Sequence, residues 1–112
     1  MTASSKLVKQ FDVYWVELDP AKGSEIKKTR PCIVISPDET NEALKTVMVV
    51  PLTSTVIDWP FRVTIKSLPK KSSAACDQLR TISKQRLRRK AGALTKSECH
   101  AVLGVMQAIF SE

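Results

Sequence analysis

Cysteine, histidine and aromatic residues are all sparse in this chain of 112 residues. The three cysteines, Cys32, Cys76 and Cys99, are odd in number and far apart, so they form neither a disulfide framework nor a CxxC metal clip. One histidine, His100, leaves no zinc constellation, and no metal or cofactor is expected. The aromatic supply is thin: Phe11, Tyr14, Trp15, Trp59, Phe61 and Phe110. No apolar run approaches the roughly 18 residues a membrane span needs, and no hydrophobic secretion segment opens the chain. Internal repeats and low-complexity linkers are absent too. What is present, 43% hydrophobic and 26% charged residues, is ordinary globular composition. The expectation is a cytoplasmic chain with a loose N-terminal extension over 1–10 and one domain over 11–112.

Acidic residues are scarce in one place in particular. Eighteen Lys and Arg stand against eleven Asp and Glu, a formal net charge of +7. Between Lys66 and Lys96 lie ten basic residues and a single acid, Asp77, while the rest of the chain is slightly acidic. Such a concentration fits a polyanion-binding surface, a solubilising face, or a docking site for an acidic protein.

The apolar pattern is mostly that of strands. Val13–Leu18 is β-branched and aromatic and ends at the turn signal Asp19-Pro20. Ala21–Thr29 reads as a polar loop. Cys32–Ile35 and Thr46–Leu52 are continuous apolar runs, hence buried strands. Between them Ser36-Pro37-Asp38-Glu39 predicts a short helix, with Ser36 as N-cap and Glu39 completing a capping box. Phe61–Ile65 alternates with period two, and Leu68–Ser73 is a basic loop. Ala74–Leu79 and Arg80–Ser83 read as one interrupted or two consecutive strands, and Gln85–Lys90 as turn-like or marginally helical. Thr95 with Glu98 predicts a capping box for a last helix, whose apolar face carries Cys99, Val102, Leu103, Met106, Ile109 and Phe110. Five or six strands with only short helices between them predict a mainly β fold with some α. The specific expectation is an SH3-like small barrel of antiparallel strands, with a short helix and a C-terminal helix packed on it.

Three polar clusters interrupt this pattern. Gly23-Ser24-Glu25 and Thr29-Arg30-Pro31 precede a buried strand, and Pro31 biases Arg30 toward extended geometry. Thr53-Ser54 follows another buried strand. Asp77-Gln78-Leu79-Arg80 lies inside the basic stretch. Each has a dull explanation: a surface cation, a turn, a local ion pair.

Their order is more specific. Asp19-Pro20, Gly23-Ser24-Glu25 and Arg30-Pro31 leading into Ile33-Val34-Ile35-Ser36-Pro37 resemble the opening of the MazF/PemK/Kid family of toxin endoribonucleases. Val50-Pro51-Leu52-Thr53-Ser54 is similar to that family's central strand, and Asp77-Gln78-Leu79-Arg80-Thr81-Ile82 to its third motif. The resemblance spans about residues 12 to 110. It implies the toxin of a type II toxin–antitoxin pair, a homodimer that cuts single-stranded RNA, commonly mRNA, at short sequences without a metal and is bound by a cognate acidic antitoxin.

The resemblance also implies roles for residues. Arg30 and Thr53 would carry the cut, with Arg30 stabilising the phosphorane and Thr53 and Ser54 holding the scissile phosphate. Glu25 and Asp77 are candidate bases or orienters. Gln78, Arg80, Lys84 and Arg86 would contact bases or phosphates, and Trp59 would either stack on a base or anchor the next strand. Two departures stand out: the Kid-like branch has His and Arg where this chain has Ser24 and Ala75, which favours the Arg30–Thr53 version over one built on Asp77. A CcdB-like gyrase poison shares the fold, but its Trp-Gly-Ile terminus is replaced here by Ile109-Phe110-Ser111-Glu112. A non-catalytic RNA- or DNA-binding module of the same fold is the other alternative.

Overall fold

The apolar runs become the strands of one antiparallel sheet. The computed structural model describes residues 7–18 and 29–111. Seven strands occur: β1 (Asp12–Glu17), β2 (Thr29–Val34), β3 (Thr46–Thr53), β4 (Arg62–Ile65), β5 (Ser72–Ala75), β6 (Arg80–Ser83) and β7 (Leu87–Ala93). Two α-helices, α1 (Asp38–Ala43) and α2 (Lys96–Ile109), and single 3-10 turns at Cys76–Gln78 and Lys84–Arg86 are the other elements among the described residues. The fold is mainly β with α, as the sequence predicts.

β3 organises the sheet. One edge pairs with β2, Cys32 opposite Pro51 and Val34 opposite Val49. The other edge is shared: Thr46–Val49 pair with Ser83–Arg80 of β6, whereas Leu52 and Thr53 pair with Ala74 and Ser73 of β5. The path across the sheet runs β4-β5-β3-β2-β1-β7, with β6 off it against β3. Handing one edge from β6 to β5 bends the sheet about β3 into a small barrel-like body.

That bend buries both sides of the central strands. Tyr14, Val16, Cys32, Val34, Val47, Val49, Ile82 and Leu87 form one apolar cluster. The alternate residues Val13, Ile33, Val50, Leu52, Ile65 and Ala74 form a second, covered by Val102 and Met106 of α2. Two buried faces explain why β2 and β3 read as continuous apolar runs. In α2 the capping box is present: Thr95 Oγ1 accepts the Glu98 N–H, and Glu98 accepts the Thr95 N–H. Ile109 and Phe110, expected on its apolar face, are exposed.

Four expectations differ from the structure. Ser36 is not a cap: the helix N-cap is Pro37, without a side-chain bond, and the Ser36 hydroxyl instead bonds Asn41 Oδ1 and accepts the Met48 N–H at 3.0 Å. Asn41 is buried, so a tertiary partner outcompetes the local cap. Of the basic run Gln85–Lys90, Gln85 and Arg86 are in the 3-10 turn, as the turn-like reading has it, but Leu87–Lys90 enter β7, which lies at the end of the sheet path, where charged side chains reach water on an edge. Asp77 and Gln78 lie in a 3-10 turn rather than inside a strand. The N-terminal extension is pinned from Val8, which is buried against the first cluster, while Gln10 Nε2 donates to the Ile35 carbonyl at 2.7 Å.

Candidate active site

β2 begins beside the place where β3 ends, and this sets the site. β2 pairs with β3 as far as Cys32 opposite Pro51, so Arg30, two residues before Cys32, and Thr53, two residues after Pro51, lie at the same end of the pair; on its other side Arg30 pairs with Val16. A cleft of about 570 Å³ opens there, lined by Arg30 and Pro31 of β2, Thr53 and Ser54 at the end of β3, and Trp15 of β1. Its walls are the loop residues Leu68, Pro69 and Lys70 on one side and Arg89, Lys90 and Ala91 of β7 on the other. Its lining mixes apolar groups with four cations, Arg30, Lys70, Arg89 and Lys90. No acid lines the cleft among the described residues, so its field favours an anion.

Each lining group is held in place. Thr53 Oγ1 accepts the Thr55 N–H and donates to the Thr55 carbonyl, both at 3.0 Å, which folds the Thr53–Thr55 turn and fixes the backbone carrying Ser54. Lys90 Nζ sits 3.2 Å from Asp12, whose own carboxylate accepts the Lys9 N–H. The Arg89 guanidinium lies 5.9 Å from the centre of the Trp15 ring. Arg30 has no carboxylate partner among the described residues. Its charge, with that of Arg80, reaches Cys32. Burial nevertheless dominates there and pushes the Cys32 thiol up to about 12, with Arg80 and Arg30 only opposing it.

The sequence-predicted residues fall into separate groups. Arg30, Thr53 and Ser54 come together in the cleft. Glu25 lies outside the described residues. Asp77 does not line the cleft: its Oδ1 takes the Nε–H of Arg62 at 3.0 Å, and the Arg62 side chain is only 8% exposed. Trp59 belongs to that second group, tilted on Phe61 at 5.2 Å with the Arg62 guanidinium 5.2 Å from its ring. It is both anchored and 47% exposed, so the two roles weighed for it are not exclusive. Arg62 stands opposite Ala75 in the β4–β5 ladder. An arginine is thus supplied to Asp77 from the neighbouring strand. Gln78 is exposed beside Asp77, and Arg80 sits half-buried on β6.

The basic stretch is not one surface. Lys84 Nζ donates to the Asn41 carbonyl, joining β6 to α1. Arg86 Nη1 donates to the Glu17 carbonyl at 3.2 Å, and Arg88 pairs with the Glu17 carboxylate at 2.5 Å. Lys70, Arg89 and Lys90 are the members that reach the cleft. Sequence reasoning assigned four residues of this site no role of their own. Trp15, read only as part of an aromatic strand, is half-buried and lines the cleft. Lys70, Arg89 and Lys90 were visible only as part of a charge run, because the sequence does not show which cations one edge strand and one loop turn inward.

Known proteins resemble this chain across most of its length. A family described as PemK-like, MazF-like toxins of type II toxin–antitoxin systems matches residues 9–110. The endoribonuclease MazF9 of Mycobacterium tuberculosis is 32% identical over 102 residues, covering 82% of this chain and 86% of that protein. The endoribonuclease MazF of Staphylococcus epidermidis is 33% identical over 98 residues, covering 82% of each. Among solved structures, a MazF from Deinococcus radiodurans shares the fold with a TM-score of 0.80 at 22% identity, over 92% of this chain and 96% of that one. A mycobacterial endoribonuclease in complex with its cognate antitoxin gives a TM-score of 0.78 at 20% identity, over 90% of this chain and 92% of that one.

Proposed function

Since the chain belongs to the PemK-like, MazF-like toxins of type II toxin–antitoxin systems, we propose that its Arg30–Thr53 cleft is the active site of a metal-independent endoribonuclease that cuts single-stranded RNA, mRNA above all, at short sequences. The observation carrying this reading is that Arg30, Thr53 and Ser54, three motif residues from two strands, line one cleft whose charged side chains are all cations.

In this reading the RNA supplies the nucleophile. The 2′-oxygen attacks the adjacent phosphorus as its proton leaves. The phosphorus–5′-oxygen bond then breaks and the 5′-oxygen takes up a proton, leaving a 2′,3′-cyclic phosphate and a 5′-hydroxyl. Arg30 meets the charge that develops on the non-bridging oxygens, where a preorganised cation in a half-buried site is most effective. A guanidinium is a poor acid, so its main work is electrostatic. Thr53 acts through its turn, setting Ser54 against the scissile phosphate. Glu25, from the segment preceding β2, is the proposed base. Asp77, committed to Arg62, is assigned with Trp59 and Gln78 to holding a neighbouring nucleotide. Trp15 offers a face for a base inside the cleft, and Lys70, Arg89 and Lys90 track the backbone. Arg80 is placed to support the charge around Arg30. Lys84 and Arg86, both tied to backbone carbonyls, are given a supporting place at the margin of the RNA path.

The working protein is proposed to be a cytoplasmic homodimer, silenced by an acidic antitoxin segment in the same cationic cleft. Among the described residues no helix is long and apolar enough to cross a membrane. The test is to incubate the purified protein with a long RNA in excess chelator and map the ends. Discrete cuts with 5′-hydroxyl and 2′,3′-cyclic phosphate termini are expected, and Arg30→Ala should abolish them. Binding without cutting would instead favour a non-catalytic RNA-binding module.

A further inference from the structure

One wall of the cleft, Leu68-Pro69-Lys70, has no regular secondary structure of its own, because it belongs to the loop between β4 and β5. A single carboxylate holds that loop. Glu98 Oε2 accepts the Lys66 N–H at 2.9 Å and the Ser67 N–H at 3.2 Å, and Oε1 accepts the Ser67 hydroxyl at 2.6 Å. Oε1 also accepts the Thr95 N–H at 3.0 Å, which is the capping-box bond. A capping glutamate needs only the last of these four. The other three reach back more than thirty residues along the chain.

The second anchor is steric. Leu68 packs so tightly on Gly92 of β7 that a Cβ there would meet Leu68 Cδ2 at 2.8 Å. The loop is therefore clamped at Lys66–Ser67 and seated at Leu68, and Lys70 follows two residues later on the cleft. Burial alone would raise the Glu98 carboxyl. The bonds from the Ser67 hydroxyl and from the Thr95, Lys66 and Ser67 amides outweigh burial and hold it at about 2, so the clamp stays charged at any physiological pH.

We propose that Glu98 is a positioning residue for nucleic-acid binding: it ties the Lys66–Ser67 backbone to the start of α2 and so presents Lys70 to the RNA phosphates. The proposal rests on the cleft being the RNA site.

Steady-state cleavage of an RNA carrying one cut site separates this from a purely structural role. Glu98→Ala should raise KM roughly fivefold, one hydrogen-bonded contact's worth, with kcat unchanged. The salt slope of log KM should flatten by about 0.7, the value for one phosphate on a single strand. Lys70→Ala should do the same, and the double variant should be no worse than either single one. Thr95→Ala weakens the same helix end without touching the loop, so it should lower stability and leave KM alone. If Glu98→Ala fails to fold, Glu98→Gln takes its place, read also by the rate of tryptic cutting after Lys70, which should rise.

Additive effects of the two variants, an unchanged KM in a folded Glu98 variant, or an equal rise in Thr95→Ala would each overturn the proposal. If the wild-type protein neither binds nor cuts RNA, the underlying reading of the cleft fails instead, which the same assay shows directly.

Discussion

Two arginines in this protein, Arg62 and Arg30, have opposite neighbours. Arg62 is almost wholly buried, paired with Asp77 and packed near Trp59 and Phe61. Arg30 lines an open cleft among other cations, with no carboxylate partner among the described residues. A neutralised, packed guanidinium contributes to the fold and offers little field to a ligand. An arginine among cations costs stability through repulsion and is retained where an anion will come to it. On the proposed reading the contrast puts the chemistry with Arg30 rather than with the Asp77–Arg62 pair, the same preference that Ser24 and Ala75 give in the sequence.

The sharpest way to break that contrast is to exchange the consequences. Arg30→Ala should lower the cleavage rate by about 10²–10³-fold, the usual effect of removing one transition-state donor, with an unfolding midpoint no lower, and raised where repulsion among the cleft cations is relieved. Arg62→Ala should behave inversely, losing about 2 kcal/mol in denaturant unfolding while cleavage falls less than tenfold. A folded Arg62 variant with no cleavage would move the chemistry to the Asp77 side. Trp15→Ala should raise KM by roughly tenfold with little change in kcat, as expected for loss of one stacked base.

Smaller effects follow at the loop wall. Gly92→Ala, at φ +155° and against Leu68, should cost about 1–2 kcal/mol, read by thermal or denaturant unfolding. The Glu98 carboxyl is depressed in the folded protein, so the stability it contributes is complete above its unfolded pKa near 4.5 and is lost as pH falls toward about 2. Acid titration of the wild type should therefore show a loss in that window that is absent in Glu98→Gln.

What could be read in advance follows the range of the interactions involved. Thr95 and Glu98 are three residues apart, and their capping box stands in the structure as the spacing predicts. The buried faces of β2 and β3 are equally local signals. β7 was hidden because an edge strand of Arg88, Arg89 and Lys90 lacks alternation, and its register against β1 shifts twice. Ser36 has the local pattern of a cap, but the Met48 amide of β3 and the Asn41 side chain within α1 claim its hydroxyl instead. In the site, motif order led to Arg30 and Thr53, while the separation of Asp77 depended on Arg62, a residue with no sequence signal of its own. Which cations line the cleft depended on sheet order, which no short window contains.

The pairing of β1 with β7 bears on how the protein is made. Val13 lies opposite Gly92, and Trp15 and Arg30 gain their facing wall only when Arg89 and Lys90 have joined that edge. During synthesis those residues emerge after four-fifths of the chain has left the ribosome, so a nascent polypeptide carries Arg30, Thr53 and Ser54 before the cleft they line can be complete.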